Sequence, residues 1–340
     1  MITTVSLKNF TVFEDLKMKC APGVNIFIGE NGTGKTHLLK VLYTGCKFST
    51  IEEVKEQLLF EHIFATTKSE LLRINSSNTR IKINRTSNKK NLIFEYNFSN
   101  PIPKDSTLCT SEICYPYWKK EPINSAYIPV KEILSNAPGF RSLYSNREVA
   151  FEKVYYDIID QAFLPPLRNG DALTSVLKKL EQALGGHIEQ EGERFFLKTK
   201  SGRFDFMLVA EGLKKLGLLW LLIKNGSIKK GSVLCWDEPD ANLNPKLLKI
   251  VASILLELQE MGVQIFLSTH NYVLLKEFDL QTKKNHSVRF HAFYRDTGSG
   301  SVKLESTDEY DLIAKNAIVD TFLDLYDREI NQTIIPEEKK

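Results

Sequence analysis

Short apolar runs alternate with longer amphipathic segments along most of the chain. Where β-branched and large apolar residues dominate a run of about four to eight positions, the pattern predicts buried strands. Such runs lie at 3–10, 24–30, 125–129, 233–236 and 263–270. Amphipathic or leucine-rich stretches, which predict helices, lie at 35–43, at 213–224 and after Pro245. Strands that alternate with helices predict a mainly parallel central sheet covered by helices.

Two further stretches have the alternation and the turn residues of antiparallel hairpins. Residues 79–98 place β-branched and aromatic side chains around a Ser-Asn turn, inside a β-rich segment at 50–125. Residues 185–206 contain two glycine-containing turns and follow predicted helices that prolines interrupt, in a segment at 141–205. We therefore expect an antiparallel β lobe and a helical insertion with a hairpin beside the central sheet.

Composition restricts the classes of protein that fit this pattern. The 340 residues are 42% hydrophobic and 26% charged, which is typical of one large or two ordinary soluble domains. The net charge of +3 is too small to indicate nucleic-acid binding by itself. The longest strongly apolar run, 216–223, is shorter than the roughly 20 residues of a membrane span.

The cysteines indicate the compartment. There are five, and the N-terminus lacks the apolar core of a signal peptide, so we expect reduced thiols in the cytoplasm. Cys109 and Cys114 are the only close pair in the sequence, and no second pair or nearby histidine completes a zinc site.

Basic side chains are concentrated in and before the first hairpin. A solvated hairpin face explains them, and contact with DNA phosphates is the alternative interpretation. They are Arg73, Arg80, Lys82, Arg85, Lys89 and Lys90.

The stretch at 29–36 lies where a predicted strand is followed by a helix. It fills every fixed position of the phosphate-binding loop G-x-x-x-x-G-K-[ST]. The glycines let backbone N–H groups point at phosphate oxygens, and the helix N-terminus adds partial positive charge. We expect Lys35 to reach the β- and γ-phosphates and the Thr36 hydroxyl to bind Mg²⁺. The residues predicted to bind ATP are Gly29, Glu30, Asn31, Gly32, Thr33, Gly34, Lys35, Thr36 and His37.

Two carboxylates, Asp237 and Glu238, end the apolar strand at 233–236. Carboxylates beside a buried strand are costly unless a cation or a proton donor meets them. On a strand that neighbours the phosphate-loop strand, Asp237 would face the same crevice and hold Mg²⁺ through water. Glu238 could then polarise the water that attacks the γ-phosphate. A helix cap is the alternative explanation of this acidic pair.

His270 follows the next apolar strand. At the carboxyl end of a parallel strand it would point into the crevice and contact the γ-phosphate or the attacking water. A satisfied surface or core histidine is the alternative. We therefore treat Glu238 and His270 as the candidate catalytic residues.

The order of these motifs resembles that of the ABC-type P-loop ATPases. The stretches "VSLKNFTVFEDLKM…GVNIFIGENGTGKT", "VAEGLKKLG", "WDEPDANLNPK" and "FLSTHN" are similar to the RecF, SMC and OLD (overcoming lysogenization defect) branch. The closest likeness is to stand-alone OLD-like AAA ATPases of bacterial defence systems. The resemblance implies an α/β fold of the ABC-ATPase head type, with a single head over residues 1–340. Its parts would be a P-loop segment, 1–49, the two insertions given above, and a C-terminal part, 206–340, with the remaining motifs.

In this family two heads sandwich two ATP molecules, and the signature motif of one head meets the γ-phosphate bound by the other. The resemblance places a D-loop-like turn at Asn242 and Asn244, whereas the Q-loop glutamine has no clear match near "YIPVKEIL". Only the glycine of the signature-like segment matches the transporter sequence Leu-Ser-Gly-Gly-Gln. That segment is Val209, Ala210, Glu211 and Gly212.

The resemblance therefore implies an ATPase that uses ATP and Mg²⁺ and forms a homodimer or a higher homo-oligomer. Association of the heads would regulate a separately encoded effector protein, such as a nuclease, or act on DNA, in antiphage defence or DNA maintenance. We expect no membrane contact. We also expect no nuclease activity of the chain itself, because the residues after His270 are too few for a nuclease domain with its acidic cluster. The alternatives are a nucleotide-binding subunit of a transporter and a nucleotide-gated scaffold with little turnover.

Overall fold

The computed structural model describes residues 1–51, 58–99, 115–146, 151–167 and 173–334. Cys109 and Cys114, considered above as zinc ligands, lie outside these ranges. The strands are β1 Ile2–Phe10, β2 Phe13–Lys19, β3 Val24–Gly29, β4 Asn78–Ser87, β5 Lys90–Ser99, β6 Ser125–Ile128, β7 Gly186–Glu191, β8 Arg194–Thr199, β9 Gly202–Asp205, β10 Val233–Asp237, β11 Gln264–Ser268, β12 Val288–Arg295 and β13 Val302–Thr307. The helices are α1 Lys35–Phe48, α2 Leu59–Phe64, α3 Lys68–Leu71, α4 Tyr115–Lys120, α5 Phe140–Asn146, α6 Lys153–Ala162, α7 Thr174–Leu184, α8 Glu211–Lys224, α9 Pro245–Glu260, α10 Tyr272–Gln281 and α11 Ala317–Ile334.

A six-stranded sheet in the order β13-β12-β3-β11-β10-β6 forms the centre of the molecule. Its strands are parallel except β13, which pairs antiparallel with β12. Parallel neighbours need long crossovers, and α1, α9 and α10 lie in those connections. The predicted mainly parallel sheet is therefore present.

The strands β3, β10 and β11 at the centre of this sheet are buried on both faces, which explains why they are mostly apolar runs. On β10, Leu234 and Trp236 belong to one apolar core, whereas Val233 and Cys235 belong to the other. Full burial of a large apolar side chain contributes about 1.5–3 kcal/mol. Leu234 and Trp236 are completely buried, so the run before Asp237 fixes the position of that carboxylate.

A second, antiparallel sheet in the order β2-β1-β4-β5 packs on α1. The hairpin predicted at 79–98 is the β4–β5 pair, and β4 also pairs with β1 at the start of the chain. The other predicted hairpin is a three-stranded sheet, β7-β8-β9. No helix in the described ranges combines the length and the apolar composition needed to cross a bilayer.

The expected adjacency of the two motif strands is wrong. β11 lies between the phosphate-loop strand β3 and the strand β10 that ends in Asp237. The order of parallel strands is set by how the crossover helices pack. The neighbour of β10 can therefore not be predicted from the sequence of β10. The Thr36 side chain of α1 still reaches Asp237.

One of the six basic residues considered for DNA contact cannot have that role. Arg85 on β4 is only 2% exposed, and its guanidinium donates to the carbonyl oxygens of Trp118 (2.6 Å) and Glu121 (2.5 Å). It also lies over the Trp118 ring, 4.3 Å from the centroid. Arg80 forms an ion pair with Glu95 at 2.8 Å on the neighbouring strand. The sequence pattern could not separate this buried arginine from the exposed lysines beside it.

Candidate functional site

The loop between β3 and α1 has a backbone conformation that glycine permits. Gly29 has φ +137°, and a Cβ there would lie 2.1 Å from the Phe293 carbonyl oxygen. Gly34 has φ +89°, and a Cβ there would lie 2.5 Å from the Phe13 ring. Left-handed backbone and close packing together restrict both positions to glycine. The loop therefore curls at the start of α1, as a phosphate-binding loop requires.

The other loop residues divide into exposed and buried positions. Asn31 and Gly32 are exposed at the tip, whereas Thr33 is buried and its Oγ1 donates to the Glu30 carbonyl at 2.8 Å. His37, the last residue predicted to bind ATP, packs edge-on against Phe64 with the ring centroids 5.7 Å apart.

The pKa of His37 is lowered to about 4, by burial and then by the nearby charge of Lys40. The imidazole is therefore neutral at physiological pH.

Lys35 extends back along the loop. Its Nζ donates to the carbonyl oxygens of Gly29 and Glu30, each at 2.8 Å. Burial lowers the pKa of Lys35 to about 8, although Asp237, Glu238 and Glu30 act in the opposite direction. The loop therefore holds a desolvated amine, close to the groups that would surround a bound phosphate chain.

Hydroxyl groups from three elements converge on the Asp237 carboxylate. Thr36 Oγ1 on α1 donates to Oδ2 at 2.9 Å, and the Tyr127 hydroxyl on β6 donates to the same oxygen at 3.3 Å. Ser268 Oγ, at the end of β11, donates to Oδ1. Asp237 is 2% exposed, so these donors replace the hydration that burial removes.

These oxygen atoms fit a Mg²⁺ site of the P-loop type. Mg²⁺ prefers hard oxygen ligands and is held by one or two protein groups together with waters and substrate phosphates. A threonine hydroxyl and a carboxylate in direct contact, next to a phosphate-type loop, provide that donor set. In the described part of the chain no cluster of three or more His, Cys, Asp or Glu side chains could hold a metal by itself.

Glu238 has a strained backbone. Its φ is +48°, in the left-handed region that a non-glycine residue adopts only when its surroundings hold it there. Its N–H donates to the carbonyl oxygen (3.2 Å) and to Oγ (3.1 Å) of Ser268. Glu238 Oε1 lies 3.8 Å from His270 Nε2. The two candidate catalytic side chains are therefore neighbours at the carboxyl ends of β10 and β11.

The electrostatics of this pair favour proton acceptance by Glu238 rather than by His270. Burial and then the charges of Asp237 and Asp240 raise the pKa of Glu238. Burial and then Lys35 lower the pKa of His270. A carboxylate with a raised pKa is a stronger base than an exposed one, and a histidine with a lowered pKa is neutral at pH 7.

The signature-like segment lies at the start of α8. Gly212 packs so closely on the turn after β10 that a Cβ would be 2.5 Å from the Asn242 carbonyl oxygen. Glu211 turns to Lys214, whose Nζ donates to it at 3.3 Å, and Ala210 is exposed. The signature-like segment therefore packs on the D-loop-like turn of its own chain through Gly212, and Asn242 in that turn has φ +64°.

Asn244, the other D-loop-like residue, caps the next helix. Its side chain accepts from the Lys246 N–H at 3.0 Å, directly before the Pro245 start of α9. An N-cap asparagine with proline at the first helical position is a strong helix-start signal. The contact gives Asn244 a structural role in addition to the one that the resemblance implies.

Comparison with known proteins identifies the family. A sequence model described as an AAA ATPase domain matches residues 1–184, more than half of the chain and including the phosphate loop. The chain belongs to the AAA ATPase domain family. A second model, described as "AAA domain, putative AbiEii toxin, Type IV TA system", matches residues 115–276. The two matches of this AAA ATPase together cover the phosphate loop and the strand ends that carry Asp237, Glu238 and His270.

Relatives and solved structures agree with this assignment. The DNA replication and repair protein RecF of Staphylococcus aureus (strain JH9) is 38% identical over 72 residues, 21% of this chain and 20% of RecF. The chain thus matches about a fifth of the length of these curated relatives.

The SMC head domain from Thermotoga maritima has a TM-score of 0.51 at 14% identity, over 90% of this chain and 98% of that one. An Smc head bound to the C-terminal winged-helix domain of ScpA has a TM-score of 0.54 at 14% identity, over 92% and 99%. The predicted ABC-type head fold, and membership of the RecF, SMC and OLD kind of P-loop ATPase, are confirmed.

Sequence reasoning missed several residues of the site in this AAA ATPase. Tyr127 and Ser268 bind the Asp237 carboxylate, yet the first lies in an inconspicuous strand and the second precedes the noticed His270. Arg295, at the end of β12, donates from Nη2 to the Gly32 carbonyl at 2.9 Å and so supports the tip of the phosphate loop. Ser268 could have been found, because it is the last residue of a buried strand in the stretch "FLSTHN".

Lys215 on α8 is the residue near the site that was hardest to predict from the sequence. It is 1% exposed, and its Nζ donates to the Glu238 carbonyl oxygen at 3.1 Å. Burial lowers the pKa of Lys215, while Asp240, Glu238 and Asp237 raise it. The only signal was a pair of lysines inside a leucine-rich helix, a pattern that equally describes a solvated helix face.

Proposed function

We propose that this protein binds ATP with Mg²⁺ in the crevice between the phosphate loop and the ends of β10 and β11, and hydrolyses it. The observation that carries the proposal is the hydrogen bond from Thr36 Oγ1 to Asp237 Oδ2. It brings the phosphate loop together with the acidic strand end, where Glu238 and His270 lie side by side. Neither motif alone would specify nucleotide hydrolysis.

The loop residues would bind the nucleotide. Backbone N–H groups of 30–36 and the N-terminus of α1 would bind the β-phosphate, and Lys35 would leave the carbonyls of Gly29 and Glu30 to meet the β- and γ-phosphates. Thr36 and Asp237 would hold Mg²⁺, which when bound neutralises charge on the phosphate oxygens. The family implies nucleotide binding, and the donor set described above fits both the phosphates and the metal.

Glu238 is the proposed general base. Its carboxylate would accept the proton of a water molecule positioned beside the γ-phosphate, a role that needs a base within hydrogen-bonding reach. His270, neutral because its pKa is lowered, would orient that water or contact the γ-phosphate. The strained φ of Glu238 supports this assignment, since such strain is typical of functional positions.

ATP is proposed to join two copies of the chain. Met207 and Leu208 are 70% and 80% exposed directly before the signature-like segment Val209–Gly212. Exposed large apolar side chains beside a helix N-terminus suit a face that closes on the nucleotide of a second copy. The expected product is a homodimer or a higher homo-oligomer with ATP at the interface.

The output of the cycle is proposed to be regulatory or mechanical. The RecF relatives are named for DNA replication and repair, one family model is named for a toxin–antitoxin system, and a solved Smc head is bound to ScpA. These names support head association that regulates a separately encoded effector, such as a nuclease, or acts on DNA, in bacterial defence or DNA maintenance. We propose no nuclease activity for the chain itself.

Release of inorganic phosphate from Mg-ATP by the purified chain tests the core of this proposal. We expect slow turnover that requires Mg²⁺ and that Lys35→Ala abolishes. Turnover that is independent of both Mg²⁺ and Lys35 would come from a contaminant. If no phosphate is released under any assembly condition, the proposal that the chain hydrolyses ATP is wrong.

A further inference from the structure

Helix α8 carries two adjacent lysines whose side chains have different surroundings. Lys214 forms an ion pair with Glu211 at 3.3 Å on its own helix. Lys215, which is almost fully buried, reaches out of α8 to the segment after β10 and contacts the Glu238 carbonyl oxygen. A buried ammonium group is costly to desolvate, so its retention at this point needs a compensating interaction. The main-chain oxygen of Glu238 is the hydrogen-bond acceptor that the structure gives it.

That oxygen belongs to the residue with the left-handed backbone. A φ of +48° at glutamate is unfavourable and has to be imposed by neighbouring groups on both sides of the residue. On the amino side, the Glu238 N–H donates to Ser268. On the carboxyl side, the carbonyl accepts from Lys215 Nζ and from the Ala241 N–H, each at 3.1 Å. The peptide groups before and after Glu238 are therefore both fixed.

We infer that Lys215 is a positioning residue for hydrolysis: its ammonium group holds the Glu238 carbonyl, and thereby aims the Glu238 carboxylate at the crevice beside His270. The inference rests on the proposed function of Glu238 as the general base. Lys215 would act through the backbone of Glu238, since the contact that the structure gives its ammonium group is the Glu238 carbonyl oxygen. The negative charges of Asp240, Glu238 and Asp237 oppose the lowering of the Lys215 pKa by burial and so favour the charged form that donates.

The geometry also ties the base to the signature-like segment. Lys215 lies one helical turn after Gly212, which packs on the Asn242 carbonyl. One helix therefore contacts both Glu238 and the turn that follows it. A shift of the α8 start, where a second copy would meet it, would be transmitted to the base through Lys215.

The test compares substitutions on α8 in the 340-residue chain. Lys215→Met keeps the volume but removes the donor, and Lys215→Gln keeps a shorter, neutral donor that does not reach the carbonyl. For both we expect kcat per bound nucleotide to fall by up to about 100-fold, which is the loss that a misplacement of about 1 Å can cause. The Kd for a fluorescent ATP analogue with Mg²⁺ should stay close to that of the wild type. Lys215→Arg, which can still donate, should recover part of the rate.

Lys214→Met is the matched control, because it removes the neighbouring buried lysine of the same helix without touching Glu238. The loss of kcat in Lys214→Met should be clearly smaller than the loss in Lys215→Met. If both Lys215 variants turn over like the wild type, or if both lose ATP binding along with activity, the positioning role is wrong. The second outcome would assign Lys215 to the stability of the fold.

A double substitution separates this inference from the proposed base. If Lys215 acts only through Glu238, then Lys215→Met should cost nothing further in a Glu238→Gln background. Additive losses would overturn the inference. Wild-type turnover by Glu238→Gln alone would instead refute the proposed base, whatever Lys215 does.

Discussion

Thr36 and Asp237 are 201 positions apart in the chain, and their side chains form a hydrogen bond of 2.9 Å. The contact crosses β11, the strand that separates β3 from β10 in the sheet, because α1 extends from the end of β3 over the sheet. Asp237 is buried and receives two further hydroxyl donors. The site is thus a preorganised group of oxygen atoms at one end of the sheet, next to a cationic loop.

Lys35→Ala should abolish ATP binding or weaken it by orders of magnitude. The substitution removes the cation expected to face the γ-phosphate while leaving the loop backbone intact. Titration with a fluorescent ATP analogue measures the affinity, and circular dichroism checks that the variant is folded. An unchanged Kd would mean that the loop does not function as a phosphate-binding loop.

Glu238→Gln should retain ATP and Mg²⁺ binding and lose hydrolysis. Glutamine keeps the size and polarity of the side chain but cannot accept a proton from water, and removal of a general base typically costs about 100- to 10,000-fold. Single-turnover phosphate release measures the chemical step. Full turnover by this variant would move the base elsewhere, and His270→Ala would then be the next variant to measure.

ATP with Mg²⁺ should drive self-association of the Glu238→Gln variant, since the trapped nucleotide would hold two copies together. Light scattering at micromolar concentration should report a dimer or a larger species only when nucleotide is present. Lys35→Ala is the control and should remain monomeric under the same conditions. Leu208→Asp, which places a charge on the proposed contact face, should weaken association without changing the ATP affinity of the monomer. A monomer in every condition would refute assembly of two copies on ATP.

Acid should destabilise the fold partly through His291 on β12, which is fully buried. Its Nδ1 meets Ser306 Oγ at 2.8 Å, and its Nε2 meets Asn25 Oδ1 at 3.3 Å. Burial lowers the pKa of His291 to about 3. Below the usual histidine pKa of about 6.5 the unfolded chain binds a proton that the folded chain does not.

The contribution of His291 to the free energy of unfolding is therefore constant above about pH 6.5. It falls by about 1.4 kcal/mol per pH unit toward about pH 3. Urea unfolding at pH 7.5, 6.0 and 5.0 measures the slope, and His291→Asn should make that slope shallower. An equal slope in both chains would mean that His291 is protonated in the fold.

The purified chain should leave plasmid and linear DNA intact with Mg²⁺ or Mn²⁺ while it hydrolyses ATP. The proposed site accounts for one reaction, phosphoryl transfer to water, and any DNA contact through the exposed lysines of the β4–β5 hairpin would depend strongly on salt. Gel analysis after repeated purification tests this. Metal-dependent cleavage that survives repurification and disappears in a variant such as Asp320→Asn would reveal a second active site.

The phosphate loop, the acidic strand end and His270 could be located from the sequence because each depends on local requirements. Gly29 and Gly34 occupy backbone conformations that other residues avoid, and the apolar run before Asp237 is what a strand buried on both faces needs. The strands and the two hairpins follow from the same short-range alternation. These features depend on neighbours within a few residues, and a sequence records such neighbours directly.

Only the tertiary structure decided which of these elements lie side by side. β11 lies between β3 and β10, Arg85 is buried against the Trp118 ring, and Lys215 reaches Glu238 from helix α8. Each relationship joins residues that are far apart in the chain, and it results from how helices and strands pack. The residue type of a lysine or an arginine does not reveal whether its charged group is solvated or buried against a carbonyl oxygen. The sequence therefore determined the motifs and the local elements, and packing determined the strand order and the groups that hold Glu238, the proposed general base.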